Sequence, residues 1–147
     1  MKTTCHKQRM RKLFFAVVAA FVMICLNACA KKITFLTSSV VPAAEGTVTV
    51  TKDNNKNYKI NVSLSNLAEP TRLQPSKNMY VVWMETDNNA TQNIGQINTS
   101  TGFFGGKHKS SFETVSSSKP TKIFLTAEDD AKVHSPGSQV ILSTDTF

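Results

Sequence analysis

A cysteine stands directly after the most apolar segment of the chain. Cys29 follows residues 13–26, a run of 14 residues without charge, with Asn27 and Ala28 between them. The segment before the run holds five basic residues and no acidic one: Lys2, Lys7, Arg9, Arg11 and Lys12. This is the layout of a secretory signal, with a positive segment, a short apolar segment and small residues before the cut. Since a bilayer span needs about 20 apolar residues, a cleaved signal is favoured over the alternative, an uncleaved N-terminal anchor.

The residues around the cysteine, Leu26-Asn27-Ala28-Cys29, resemble the lipobox of bacterial lipoproteins. The resemblance implies that the Cys29 thiol is acylated and that cleavage leaves Cys29 as the first residue. Cys5 and Cys25 would leave with the signal, so the mature protein would contain no disulfide. Each buried methylene of a lipid contributes about 0.8 kcal/mol, and several acyl chains give stable attachment. We therefore expect a lipid anchor in the bacterial cell envelope, at the outer membrane.

Two phenylalanines and two lysines surround a pair of glycines in the second half of the chain. They are Phe103, Phe104, Lys107 and Lys109. Adjacent side chains of a regular strand point to opposite faces, so one of the two phenylalanines should be exposed beside the positive charge. Such a combination fits an anionic or amphipathic partner. We interpret these residues as a partner-contacting tip; the alternative is that one phenylalanine enters the core while the lysines are merely solvated.

Residues suited to catalysis or metal binding are few after Cys29. His108 and His134 are the only histidines there, and a Ser or Cys nucleophile needs a placed histidine and a carboxylate. The run Glu128-Asp129-Asp130 offers oxygen ligands of the kind that Ca²⁺ takes. It lacks the spacing of a calcium-binding loop and is typical of a solvated turn. We expect no enzymatic activity, no metal and no cofactor.

The net charge of +7 is distributed unevenly along the chain. Twelve basic and ten acidic residues follow Cys29, which leaves about +2 for the mature protein. Nucleic-acid binding requires a basic footprint on a folded face, whereas most of the excess here lies in the targeting segment. The composition therefore predicts no nucleic-acid partner.

The periodicity of the remaining chain predicts β-strands. Apolar residues alternate with period two over residues 47–51 and 58–64, around a turn at 53–57, which predicts a hairpin. Residues 79–84, MYVVWM, are apolar throughout, as in a strand covered on both faces, so Trp83 should be a core residue. Further strands are predicted at 92–98 and 108–115, as a hairpin around a Gly-rich tip, and at 122–127 and 140–142, with a connection between sheets at 66–78. Together they predict an antiparallel sandwich of seven or eight strands.

From the fourth predicted strand onward, the order of motifs resembles a known domain. The motifs are Tyr80-Val81-Val82-Trp83-Met84, Ile94-Gly95-Gln96-Ile97, the glycines of 102–106, Phe112, the strand 123–128, Ser135-Pro136 and Val140-Ile141-Leu142. This order resembles the extracytoplasmic C-terminal domain of anti-sigma-K factors over residues 46–143, which implies an immunoglobulin-like sandwich. The N-terminal helical domain of that family, with its zinc ligands, and its internal spanning helix are missing. Anti-sigma activity is therefore not implied.

These observations predict three regions. Residues 1–28 are a signal peptide, 29–45 hold the lipidated cysteine, a tether and a first edge strand, and 46–147 form the sandwich. The predicted function is that of a lipid-anchored envelope protein whose sandwich is a non-catalytic binding or structural module for a protein or glycan. The alternative is an anchored solute carrier or enzyme. A carrier needs a concave apolar pocket, whereas a sandwich of this length uses its apolar residues between the sheets.

Overall fold

The computed structural model describes residues 30–97 and 109–147. This part of the chain holds eight β-strands and a single 3₁₀ turn at Pro70–Arg72. The strands are β1 (Lys31–Thr34), β2 (Glu45–Lys52), β3 (Tyr58–Ser65), β4 (Met79–Thr86), β5 (Thr91–Ile97), β6 (Lys109–Ser116), β7 (Pro120–Glu128) and β8 (Val140–Ser143).

The strands form two four-stranded antiparallel sheets. The first sheet has the order β1-β2-β3-β6 and the second has the order β5-β4-β7-β8. Apolar residues of both sheets meet in one core between them. The predicted fold class, an all-β antiparallel sandwich of seven or eight strands, is confirmed.

The β2–β3 hairpin follows from the alternation of its residues and from its turn. Val48 pairs with Val62 and Val50 with Ile60, which puts these side chains on the core side of the first sheet. The Asp53 carboxylate accepts hydrogen bonds from the backbone N–H groups of Asn55 and Asn57, each 2.8 Å long. A slip of one residue would expose the apolar side chains, so pattern and turn specify the same register.

Strand β4 is buried on both faces, as its continuous apolar run predicts. Tyr80, Val82 and Met84 face the core between the sheets, while Val81 and Trp83 belong to a second cluster with Phe124 on the outer face of the second sheet. Trp83 is fully buried, so its prediction as a core residue is confirmed. Burying a large apolar side chain contributes about 1.5–3 kcal/mol. Because most side chains of β4 and of its neighbour β7 are buried, these two strands form the centre of the fold.

Strands β5 and β6 do not form the predicted hairpin. β5 pairs only with β4, whereas β6 pairs with β3, so the two strands lie in different sheets. Ile97 is buried, and Ile94 and Phe112 pack against the same core. These three side chains point inward because the two strands face each other across the sandwich. The sequence pattern specifies which face of a strand is buried and leaves open which strand pairs with it.

The segment between β1 and β2 is packed onto the domain. Phe35 and Val41 are buried, and Ala44 is only 3% exposed. The backbone N–H of Leu36 donates a hydrogen bond of 2.8 Å to the Ser143 carbonyl, next to a bridge between Phe35 and Thr144. Residues 35–44 therefore close the edge between the two sheets, in a region for which the sequence suggested a tether.

Candidate partner-binding end of the sandwich

The two ends of the sandwich differ in the length of their connections. One end, which we call the turn end, carries the short turns 53–57, 87–90 and 117–119. The opposite end, which we call the loop end, carries the connections 35–44, 66–78 and 129–139, and it is also where β5 ends and β6 begins. Long connections on a rigid scaffold are the usual carriers of recognition. The loop end is therefore the candidate functional site.

The described part of the loop end contains an open groove beside the first sheet. Its volume is about 610 Å³, and its lining includes Leu36, Pro42, Leu64 and Lys109. The Leu36 side chain is 48% exposed, and Val40 on the same connection is 39% exposed. The groove therefore combines the exposed apolar surface of Leu36 with one cation, Lys109, and one carboxylate, Glu45.

The predicted contact residues are placed only in part. Lys109 begins β6 at the loop end, where it is exposed and lines the groove. Phe103, Phe104 and Lys107 lie outside the described residues, as does Cys29. β5 ends and β6 begins at the loop end, but the two strands lie in different sheets, so they do not form the predicted hairpin with each other. Contact by these residues stays a prediction.

A buried tyrosine fixes the connection between β3 and β4. The Tyr80 hydroxyl donates a hydrogen bond of 2.8 Å to the backbone carbonyl of Ala68. Burial of the ring raises the pKa of Tyr80 to about 12, because desolvation disfavours the phenolate. This hydrogen bond holds residues 66–78 against the sandwich, and the raised pKa keeps the Tyr80 hydroxyl protonated into the alkaline range.

A polar chain ties the connection 129–139 to the outer face of the second sheet. The Trp83 indole N–H donates to the Thr126 hydroxyl over 2.7 Å, and that hydroxyl donates to the Glu128 carboxylate over 2.5 Å. The same carboxylate oxygen accepts the Gly137 backbone N–H over 2.7 Å. A Cβ at Gly137 would lie 2.8 Å from the carboxylate, so the absence of a side chain permits this close approach.

Asn93 of β5 holds the other side of this connection. Its side-chain amide donates to the carbonyls of Ala131 and Val133 over 2.8 and 3.0 Å. The Val133 side chain packs against the cluster formed by Val81, Trp83 and Phe124. Residues 129–139 therefore cover that cluster. They join the neighbouring antiparallel strands β7 and β8, which a much shorter turn could connect, so their length is explained by this covering role.

The three adjacent carboxylates serve three separate purposes. Glu128 is buried in the polar chain just described, Asp129 pairs with Lys77 over 2.7 Å, and Asp130 accepts the Lys132 backbone N–H over 2.9 Å. Glu128 therefore departs from the predicted solvated turn, because Thr126 and Gly137 satisfy its carboxylate. No group of three His, Cys, Asp or Glu side chains within 30–97 and 109–147 has the geometry of a metal site. His134 is exposed, and His108 lies outside the described residues.

Sequence reasoning missed the contribution of residues 35–44 and of Asn93. The apolar residues of 35–44 follow no strand period, so their pattern does not distinguish the buried Phe35 and Val41 from the exposed Leu36 and Val40. Asn93 looked like an ordinary polar position of an edge strand. The one available signal was the length of 129–139, which exceeds what a hairpin needs and indicates a covering role.

No protein-family model, curated protein or solved structure matches this chain. Among the described residues, no helix has the length and apolarity needed to cross a membrane.

Proposed function

We propose that this protein is a lipid-anchored component of the bacterial cell envelope whose sandwich is a non-catalytic binding or structural module. The observation that carries the proposal is the placement of the first strand. Lys31, two residues after Cys29, pairs with Val50 near the turn end, and the chain then runs toward the loop end. A lipid on Cys29 would therefore hold the turn end at the membrane and present the loop end to a partner.

The strand order supports an immunoglobulin-like sandwich as the scaffold. In such domains, strands A, B and E share one sheet, and strands C, F and G share the other, with C′ added at the edge in variable-type domains. Here β2-β3-β6 corresponds to A-B-E, and β5-β4-β7-β8 corresponds to C′-C-F-G. The additional strand β1 lies at the outer edge of the first sheet.

The open groove at the loop end favours a macromolecular partner over a carried solute. A solute carrier encloses most of its ligand in a concave pocket, while the groove lined by Leu36 and Lys109 lies along the surface. An anchored carrier or enzyme on the same scaffold remains the alternative proposal, and bound small molecule in the protein extracted from cells would favour it. A protein or glycan in the envelope is the partner that we propose.

The anchor is tested by replacing its cysteine. We expect cells supplied with a labelled fatty acid to label the wild-type protein and to leave Cys29→Ser unlabelled, because the thiol is the acylated group. Cys25→Ser is the matched control, since it alters a cysteine within the predicted signal peptide, and it should label like the wild type. Equal labelling of the wild type and Cys29→Ser would contradict the proposal.

The presentation of the loop end is tested by capture of partners in cells. The variant Phe103→Ser, Phe104→Ser, Lys107→Ser should lose more than about ten-fold in crosslinked partner, because a few large side chains that become buried in a contact carry most of its binding energy. The control Asn54→Ser, Asn55→Ser, Lys56→Ser changes three residues at the turn end and should capture as the wild type does. Both variants must first be shown to melt like the parent. Unchanged capture by the loop-end variant at low salt would remove this surface from the proposal.

A further inference from the structure

Three lysines and two aromatic rings surround a depression at the turn end. It has a volume of about 210 Å³, and its lining comprises Lys31, Lys52, Tyr58, Lys119 and Phe147 together with Val50 and Pro120. The Lys31 ammonium lies 5.2 Å from the centre of the Phe147 ring, and the Lys52 ammonium lies 5.3 Å from that of Tyr58. We call Lys31, Lys52 and Lys119 the patch lysines.

Two of the patch lysines occupy positions that continue the core-facing side of their strands. Lys31 is two residues from Ile33, and Lys52 is two residues from Val50, and both of these apolar neighbours pack on the core. Side chains two apart on a strand share a face. At the rim of the sandwich a lysine in such a position keeps its stem near apolar surface and extends its ammonium toward water. The charges therefore point out of the turn end.

The patch lysines are not neutralised by neighbouring acids. Lys59, Arg72, Lys77 and Lys122 each lie within 4.0 Å of a carboxylate. Within the described ranges, none of the patch lysines has such a partner. The described residues near the turn end that belong to no ion pair comprise five lysines and three aspartates: Lys31, Lys32, Lys52, Lys56, Lys119, Asp53, Asp87 and Asp145. The turn end is thus a positively charged surface with aromatic rings at its centre.

We infer that the turn end binds the head groups of anionic phospholipids. The inference rests on the proposed anchor, because a lipid on Cys29 would lie within about 7 Å of Lys31 along the chain. Lysines near an anionic bilayer are attracted to its phosphates, and a tyrosine such as Tyr58, with an apolar ring and a polar hydroxyl, favours the interface between water and lipid. The anchor would then fix the orientation of the domain as well as its location.

The test measures how fast an added amine-reactive reagent labels each lysine side chain. It uses the full protein as extracted from cells and reconstituted in vesicles. Vesicles of phosphatidylcholine are compared with vesicles that also contain phosphatidylglycerol. We expect the patch lysines to react roughly five-fold more slowly in the anionic vesicles, while Lys109 and Lys132, which lie toward the loop end, react equally in both. High salt should remove the protection, because it screens the attraction.

Matched variants separate the patch from charge in general. In Lys31→Gln, Lys52→Gln the protection of Lys119 should be lost, whereas Lys109→Gln, Lys132→Gln removes the same charge elsewhere and should preserve it. Equal reaction of the patch lysines in both vesicle types, or protection of Lys109 and Lys132 instead, would overturn the inference. The mass of the peptide containing Cys29 reports the lipid in the same sample. Protection without lipid would refute the anchor alone, and lipid without protection would refute the head-group contact alone.

Discussion

Replacing Trp83 with alanine is expected to lower the free energy of unfolding by about 3 to 5 kcal/mol. The Trp83 side chain is fully buried and stacks on Phe124, with ring centres 6.3 Å apart and an angle of 14° between the planes. Its removal would leave a cavity beneath the connection 129–139 and would deprive the Thr126 hydroxyl of its donor. The measurement is urea unfolding followed by circular dichroism, since the variant lacks the only tryptophan of the chain.

A second variant separates packing from hydrogen bonding at this position. Trp83→Phe keeps a large aromatic side chain against Phe124 but leaves the Thr126 hydroxyl without the indole donor. A lost hydrogen bond at a buried group costs about 1–3 kcal/mol, so we expect Trp83→Phe to be less destabilised than Trp83→Ala. An alanine variant as stable as the wild type would contradict the position of Trp83 in the fold.

The substitution Trp83→Ala should also increase the local opening of residues 129–139, which cover the cluster. Val133 packs against the cluster that contains Trp83, and Asn93 holds the cover through two backbone carbonyls. Hydrogen exchange in this segment should therefore accelerate more than exchange in the β2–β3 hairpin, because segments with few buried contacts open locally first. The stability of the outer cluster and the order of one loop-end connection are in this way linked.

The strands of this protein are predictable from sequence because their patterns are simple. The alternation around Val48, Ile60 and Val62 allows one buried face, and the Asp53 turn fixes the register of that hairpin. The apolar run 79–84 predicts a strand covered on both faces, and β4 occupies this position. The positions and buried faces of these strands depend on neighbouring residues in the sequence, so they can be predicted from the sequence alone.

The arrangement of the sheets and the details of the loop end are not local properties. β5 and β6 would carry inward-facing residues whether they paired with each other or with other strands. Their division between the sheets therefore depends on β6 joining the edge of β3 and β5 joining the edge of β4. Thr126 lies two residues before Glu128 on the same strand, but the burial of Glu128 also depends on Gly137, nine residues further along the chain, whose N–H reaches the carboxylate only when the connection 129–139 packs onto the sheet. The groove beside Lys109 likewise requires residues 35–44 to pack where no strand period predicts it. Candidate sites built from several connections are therefore hard to read from sequence.

Replacing Gly95 with alanine is expected to destabilise the protein by about 2 to 6 kcal/mol. Gly95 has a φ of +140° in β5, a conformation that costs a residue with a side chain about 1–3 kcal/mol. An added Cβ would also lie 2.6 Å from a ring carbon of Phe112, which reaches across from the other sheet. Overpacking of this kind costs about 1–3 kcal/mol. Gln96→Ala is the matched control on the same strand, because Gln96 is exposed and its loss should change stability by less than about 0.5 kcal/mol.

A double-mutant cycle distinguishes the two causes of this destabilisation. Phe112→Leu removes the ring atoms that the new Cβ would meet, so in its presence Gly95→Ala should cost only the backbone part. The two substitutions should therefore be non-additive, with the double variant more stable than the summed single costs by about 1–2 kcal/mol. Additive costs would contradict the contact between Gly95 and Phe112 across the sandwich. Urea unfolding of the four proteins therefore tests whether β5 and β6 face each other from the two sheets.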